Sequence, residues 1–387
     1  MTASPIRVLE LRSVVGAGGG PEKTILTGAA VTDASRIRIT VCYLRGSADH
    51  ACDIGARARV LGLDYAELVE RTAVDYRVWT ALRALVRDRA IDIVHAHDYK
   101  TNLLALMLAR VAGVVPMTTA HGWTGHSWRE TRVYYPLDKR LIGGFPRVVA
   151  VSGEIKKDLE NAGVAPDRVH VILNGIDPGA FRRHKAKEPA ARAAFELRPD
   201  TIAIVAAGRL EPQKRFDLLI RACALARQMH PSLRLLIAGD GSLRVELETL
   251  ARQLMPGACT LLGHQADIRT LHHAADVFVQ ASDYEGTPNA VLEAMAMETP
   301  IVATAAGGTA EMAAPGLHAL IVPVRDTTAM VAAIHRTLMH PDETARRVSR
   351  ARHRVETVLS FAARMAALDG LYESAYRDGV PARNVVN

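Results

Sequence analysis

The chain has 387 residues, enough for two domains of ordinary size, and its 49% hydrophobic and 23% charged content excludes a disordered chain. No apolar run approaches the ~20 residues that a membrane span needs, and aromatics at 5% with no clustered basic stripe argue against nucleic-acid binding. The net charge of +7 lies wholly in residues 1–185, which hold 26 Lys and Arg against 19 Asp and Glu, whereas the rest holds 22 of each.

Short β-branched runs alternate with amphipathic stretches along the whole sequence. IRVLELR (6–12), RIRITVCYL (36–44), IDIVHAH (91–97), VPMTTAH (115–121) and RVVAVS (147–152) are predicted strands. Between them, Tyr76 to Asp88 and Leu103 to Val111 carry helical spacing, and Pro21 opens a helix after the first strand. The pattern restarts after residue 200 with TIAIVAAG (201–208), RLLIAG (234–239), ACTLLG (258–263), DVFVQA (276–281) and PIVAT (300–304). Strands alternating with helices predict βαβ units and parallel sheets covered on both faces. Two such series predict an α/β chain of two doubly wound, Rossmann-like domains facing each other across a cleft. The charged, strand-free stretch near 180–199 is the expected join, giving domains over 1–180 and 181–358. Phe361, Met365, Leu368, Leu371 and Tyr372 recur at spacings of three and four and predict a last helix over 359–378.

Ligands of open α/β sheets bind outside the carboxyl ends of the strands, so residues that follow strands matter most. After the first strand comes GAGGGP (16–21). Pro21 stands where a dinucleotide fingerprint has its third glycine, and the first glycine comes four positions after the strand's last residue, so NAD is not expected. The amides of Gly19 and Gly20, with a helix N-terminus behind them, suit an anion; a flexible loop without a ligand fits this stretch equally well. In GRLEPQKRFD (208–217), Arg209 offers a planar fork and Lys214 a mobile point charge for phosphate oxygens, although two solvated cations would also read this way. Asp217 is expected to order the following helix, and AGDGSL (238–243) to be a structural turn.

DYEGTPNAVLE (283–293) is the most informative stretch. Thr287 is the predicted N-cap and Pro288 the first helical residue of a helix that runs to about Glu298. Glu285 then lies on the loop and Glu293 in the second turn, one on each side of a helix N-terminus that attracts phosphate. Two carboxylates there would repel an anion unless they meet hydroxyl groups of the same ligand. A molecule with phosphates in the middle and hydroxyls at both ends is a nucleotide sugar. Strand alternation is read as sending His95 and His97 to opposite faces, one to the core and one to the cleft, which argues against a metal pair. No D-x-D follows a strand to hold a metal with a diphosphate, so metal independence is expected.

Read together, GRLEPQK (208–214), the E(x7)E stretch EGTPNAVLEAMA (285–296), PIVAT (300–304) and GGTAEM (307–312) resemble the retaining family 4 glycosyltransferases of the GT-B fold. In the first half VHAHD (94–98), TAHGW (119–123), VAVS (149–152) and NGID (174–177) are similar to that family too, so the likeness covers nearly the whole chain. By that resemblance Arg209 and Lys214 would grip the donor diphosphate and stabilise the charge on the leaving nucleotide. Gly286, Thr287, Pro288 and Asn289 would present the loop and helix end to sugar and phosphate, with Glu285 on the sugar hydroxyls and Glu293 on the ribose diol. Gly19 and Gly20 would approach the diphosphate from the other domain, His121 would help to position the anomeric centre, and Asn174 would line the cleft. The resemblance also implies that the last helix crosses back onto the N-terminal domain. Two departures stand out: Arg215 replaces the usual glycine after the motif lysine, and GGGPEK (18–23) stands where the family more often has two glycines followed by an alanine–glutamate pair.

The function expected from these residues is transfer of a hexose-type sugar from a nucleoside-diphosphate sugar to an acceptor hydroxyl, in polysaccharide or glycolipid synthesis, with no cofactor beyond the donor. A sugar-nucleotide epimerase of the same fold and a non-catalytic nucleotide-sugar-binding subunit are the competing readings. The acceptor is expected to be a glycan or a lipid-linked sugar, and the basic first half suits peripheral contact with an anionic membrane. MTASPIRVLE is not a signal peptide, and Cys42, Cys52, Cys223 and Cys259 form no C-x-x-C pair, so a cytoplasmic chain on or near the inner membrane face is expected.

Overall fold

The computed structural model describes residues 4–14, 16, 18–49, 52–72, 75–123 and 130–379. The chain divides into two units, one made of Met1–Asn174 with Phe361–Asn387 and the other of Gly175–Ser360. The first runs β1 (Ile6–Val14), α1 (Gly20–Val31), β2 (Ile37–Gly46), α2 (Ile54–Val60), β3 (Asp64–Glu70), α3 (Tyr76–Asp88), β4 (Ile93–Ala96), α4 (Tyr99–Ala112), β5 (Val115–Ala120), α5 (Tyr135–Ile142), β6 (Arg147–Ala150), α6 (Gly153–Asn161) and β7 (Val169–Val171). Its seven strands lie in the order β3-β2-β1-β4-β5-β6-β7, all parallel. Leu9, Leu11, Val94 and Ala96 bury one face of the sheet with Val78 and Leu82 of α3 and Ala105 and Leu108 of α4. Val8, Tyr43 and Ile93 bury the other with Ile25 and Leu26 of α1.

The second unit contains α7 (Glu188–Ala194), β8 (Ile202–Ala207), α8 (Phe216–Ala226), β9 (Leu233–Ala238), α9 (Arg244–Leu254), β10 (Cys259–Gly263), α10 (Ile268–Ala274), β11 (Val277–Gln280), α11 (Asn289–Ala296), β12 (Ile301–Thr304), α12 (Thr309–Met312), β13 (Leu320–Val322), α13 (Thr327–Met339) and α14 (Pro341–Thr357). Its six parallel strands lie in the order β10-β9-β8-β11-β12-β13. The last helix, α15 (Phe361–Gly379), belongs to the first unit, where Met365, Leu368, Leu371 and Tyr372 join the core of Val8, Tyr43 and Ile93.

In each sheet the strand order reverses once, between β1 and β4 and between β8 and β11. The loops leaving those paired strands diverge to opposite sides, so the backbone opens a crevice at that point and ligands of such sheets bind there. The loops concerned carry residues 16–19 and 97–98 in the first unit, and 208–215 and 281–288 in the second.

Three strands stand outside the expected set, β3, β7 and β13, each at a sheet edge. An edge strand is paired on one side only; β3 reads DYAELVE with no fully buried residue, and the other two span three residues each. Helix α4 begins at Tyr99, not Leu103, because Asp98 caps it by accepting the amides of Lys100 and Thr101, both at 3.0 Å. Thr287 is not the N-cap expected of it. Pro288, with an extended ψ of 105°, takes that place, and α11 begins at Asn289 and ends at Ala296, before the left-handed Glu298 (φ 53°).

Candidate functional site

In the second unit, the loop after β8 passes Gly208, at φ 158°. A Cβ on Gly239 would lie 1.8 Å from the carbonyl oxygen of Gly208, and one on Gly241 2.7 Å from that of Leu210. The AGDGSL turn therefore lets two backbones touch, and the amide of Leu210 donates to the carbonyl of Asp240 at 2.9 Å. The loop then places Arg209 exposed and Lys214 partly buried at the end of a short 3-10 turn, Pro212–Lys214. Arg215 adopts φ 50°, ψ 41°, a conformation in which a side chain costs roughly 1–2 kcal/mol more than glycine. Its guanidinium bonds to both carboxylate oxygens of Asp217 at 3.0 Å and reaches Asp283, which Arg325 also holds at 2.8 Å. Asp217 thus orders the start of α8 through Arg215, from inside the helix rather than from its cap.

The loop after β11 is tied to this one where the amide of Asp283 donates to the carbonyl of Gln213 at 2.9 Å. Its Glu285 receives Lys214 Nζ and Ser282 Oγ, both at 2.6 Å, and Gln280 Nε2 at 3.2 Å, all on Oε1. Gly286 is held by its carbonyl, which accepts the amide of Gly308 at 2.9 Å, and Thr287 and Pro288 are buried behind it. Asn289 and Glu293 stand partly buried as the first and fifth residues of α11. Of the two expected phosphate-binding cations, Lys214 faces a carboxylate, while the guanidinium of Arg209 has no partner among the described residues.

In the first unit, the amide of Gly19 donates to Glu22 Oε2 at 2.5 Å, so it is occupied by the protein rather than open to a phosphate as expected. A cause is visible: Glu22 is the third residue of α1, where a carboxylate can reach back to its cap, and Arg12 Nε grips its other oxygen at 2.5 Å. Burial pushes the Glu22 carboxyl up, but Arg12 and the amides prevail and hold it below its ordinary value. Gly20 is the first residue of α1 and Asn174 is buried at the end of the first unit.

His121 follows β5 and sits at the rim of a buried polar network. Its Nε2 lies 3.1 Å from His97 Nδ1, and His97 Nε2 bonds to Glu10 Oε2. Tyr372 of α15 donates to Glu10 Oε1 at 2.7 Å and meets His95 Nδ1 at 2.7 Å, while His95 Nε2 meets Thr119 Oγ1 at 2.7 Å. The expectation that His95 and His97 point to opposite faces is wrong: residues two apart in a strand share a face, and the two rings stack with centroids 4.5 Å apart. Burial alone would raise the Glu10 carboxyl, but the two imidazoles hold it well below the usual carboxylate range. Burial pushes His97 down to about 4, against the pull of Glu10, and burial with the Arg12 guanidinium holds His121 well below its ordinary value. Glu10, His95 and His97 offer ligand atoms within 4.8 Å of one another, a donor set of the type that takes divalent cations. Every one of those ring nitrogens and carboxylate oxygens already has a protein partner.

Residues 18–180 match the family model described as Glycosyltransferase Family 4, and residues 187–354 match Glycosyl transferases group 1. The putative glycosyltransferase EpsD of Bacillus subtilis (strain 168) is 30% identical over 312 residues, which are 78% of this chain and 81% of that protein. The chain is a family 4 glycosyltransferase. An Escherichia coli relative named UDP-Gal:alpha-D-GlcNAc-diphosphoundecaprenol alpha-1,3-galactosyltransferase is 27% identical over 276 residues, 68% of this chain and 70% of that one. The crystal structure of Anabaena HepE in complex with UDP-glucose matches with a TM-score of 0.82 at 19% identity, covering 95% of this chain and all of the other. The glycosyltransferase thus has the GT-B fold, with the two parallel sheets described above.

Sequence reasoning missed the residues that support this transferase's site: Glu10, Arg12, Glu22, Asp283 and Arg325. Glu10 and Arg12 lie within a strand and Arg325 beyond any motif, with no local signal, whereas Glu22 and Asp283 lie inside quoted stretches and Glu22, at the third helix position, is a capping-box signal. Asp98 could have been found, since an aspartate directly after a strand and before YKT is a helix-cap signature.

Proposed function

We propose that this glycosyltransferase takes a hexose-type sugar from a nucleoside-diphosphate donor and passes it, with retention at the anomeric carbon, to an acceptor hydroxyl in polysaccharide or glycolipid synthesis. The observation that carries the reading is the pairing of Lys214 with Glu285 beside an unpartnered Arg209, at the strand-order reversal of the second unit. Without ligand, the lysine and the carboxylate neutralise each other. A nucleotide sugar separates their tasks: its diphosphate takes Lys214 and Arg209, and its sugar hydroxyls take Glu285, which is an acceptor-only group when ionised. The N-terminal turn of α11 adds amides and a positive dipole end, and Glu293 is assigned to the ribose diol. By the family resemblance, His121 is assigned to the anomeric end of the sugar and Gly20 to the diphosphate.

In the reaction, the bond from anomeric carbon to phosphate oxygen breaks as the acceptor oxygen bonds to the same face. The acceptor proton goes to the departing phosphate. Two cations and a helix terminus meet the charge that develops there, so the step is assigned no metal. Removing one such donor reduces kcat by about 10²–10³-fold. The galactosyltransferase relative, named for a UDP-Gal donor and a diphosphoundecaprenol-linked acceptor, supports a sugar nucleotide on one side and a lipid-linked sugar on the other.

The test is a panel of UDP, GDP and ADP sugars in thermal-shift assays, followed by NMR of the product made from the binding donor. An axial donor should give an axial glycoside, in the presence of chelator as in its absence. Arg209→Ala and Lys214→Ala should each lower kcat into the range above while the fold stays intact. Inversion, or release of an isomerised sugar nucleotide without any glycoside, defeats the proposal.

A further inference from the structure

The hydrogen bonds around Glu10 admit only one arrangement of protons. An ionised carboxylate accepts and cannot donate, so the two groups in short hydrogen bonds to Glu10 must donate to it, as must His95 Nδ1, 3.5 Å from Oε1. One is the hydroxyl of Tyr372, and the other is His97 Nε2–H. A neutral imidazole carries a single N–H, so His97 Nδ1 is an acceptor, and the His121 nitrogen 3.1 Å away must be the donor. The neutral ring of His121 then has its proton on Nε2, bonded to His97, and a lone pair on Nδ1. The other arm follows the same order: the Tyr372 oxygen accepts from His95 Nδ1–H, and His95 Nε2 accepts from the Thr119 hydroxyl.

We propose that Glu10 and His97 form a positioning relay that fixes His121 as the Nε2–H tautomer and leaves its Nδ1 as an acceptor for a hydroxyl of the donor sugar. Glu10 and His97 touch no substrate; they act through His121. The second half rests on the glycosyltransfer reading given above, and the first half on the hydrogen bonds alone. The surroundings favour one proton on His121: the guanidiniums of Arg12 and Arg364 and the rings of His95 and His97 all oppose a cation there. A relay of this kind explains why a charged group is kept in the middle of a strand, at a position where burial disfavours it. It also ties the relay to α15, because Tyr372 donates to the same carboxylate.

Nitrogen-15 NMR of the histidine rings reads the tautomer directly. In the wild-type chain His121 is expected as Nε2–H across neutral pH. Glu10→Leu removes the acceptor, so His97 is no longer held as Nε2–H and His121 should become a mixture of tautomers. Tyr372→Phe removes a hydrogen bond from the same carboxylate without reversing it, so His121 should keep its Nε2 proton. A wild-type His121 with its proton on Nδ1, or a Glu10→Leu chain whose His121 stays wholly Nε2–H, overturns the relay. The wild-type spectrum decides by itself if the variant does not fold. With the binding donor, Glu10→Leu should raise KM about tenfold, the worth of one neutral hydrogen bond, with a smaller change in kcat. A lost tautomer preference with an unchanged KM keeps the relay and overturns the hydroxyl contact; absence of any transfer by the wild-type chain overturns the glycosyltransfer reading and leaves the spectra to judge the relay.

Discussion

Lys214 and Glu285 show how one short contact can hold a site ready. Three donors converge on Glu285 Oε1, so the carboxylate is aimed before any ligand arrives, and the lysine that neutralises it is the group a phosphate would draw away. Arg209 differs because it is exposed and uncommitted, which suits first contact with an anion. A separate residue-scale consequence lies in α15. Asp369 is buried with Oδ1 unpartnered, and burial pushes its carboxyl up to about 6 from an ordinary 3.8. A raised carboxyl pKa means that the folded state binds the extra proton, so stability is lost as pH rises from about 4 through 6. Asp369→Asn should leave stability unchanged at pH 4 and raise it by about 1 kcal/mol at pH 7.5, after discounting the shift for solvent screening, as read by urea unfolding at both pH values.

At the scale of elements, strands and helices form where the sequence pattern places them when both faces are covered. β8, β9, β11 and β12 read as apolar runs because parallel strands are buried on two sides, and α3 keeps the bounds Tyr76–Asp88 that its spacing predicts. The strands left unread are edges, whose side chains answer to one neighbour and to water. Loop ends also escaped. Pro288 caps α11 in place of Thr287 because its ψ is extended, a property that the tertiary contacts of the loop impose. Glycines, by contrast, were legible as turns but not as contacts. Gly239 sits where two strand ends meet, and a methyl group there would collide with the backbone of Gly208. Gly239→Ala should destabilise the second unit by more than about 3 kcal/mol, visible as a fall in the midpoint of thermal unfolding, with Arg209 displaced and donor binding lost alongside.

At the scale of the whole molecule, the basic first half has a physical counterpart. Tyr99, Leu103, Met107 and Val111 recur every fourth residue along α4 and are each 40–54% exposed. The stripe continues through the stacked rings of Tyr99 and Tyr134, 5.4 Å apart, to the exposed Leu137 of α5. We propose this apolar stripe, beside the Lys139 and Arg140 cations, as the face for peripheral contact with an anionic bilayer. Sedimentation with vesicles should show binding to anionic lipid, little to neutral lipid, and a fall of at least several-fold for Leu103→Glu combined with Met107→Glu. Equal binding of the wild type and the double variant would remove this surface from the membrane reading.

The sequence by itself determined the two parallel sheets, the strand-end positions of Arg209, Lys214, Glu285 and His121, and through their order the family. These are local facts: a period, a turn residue, a motif after a strand. Only the tertiary structure decided what those residues touch. It joined Lys214 to Glu285 across 71 positions, closed the amide of Gly19 onto Glu22, and brought Tyr372 to Glu10 across 362 positions. It also set the buried Glu10 carboxylate against His97, whose shared face with His95 the strand period already implies. Pairings of that kind leave no periodic trace, because each depends on how distant strands and the last helix pack rather than on the residues beside it.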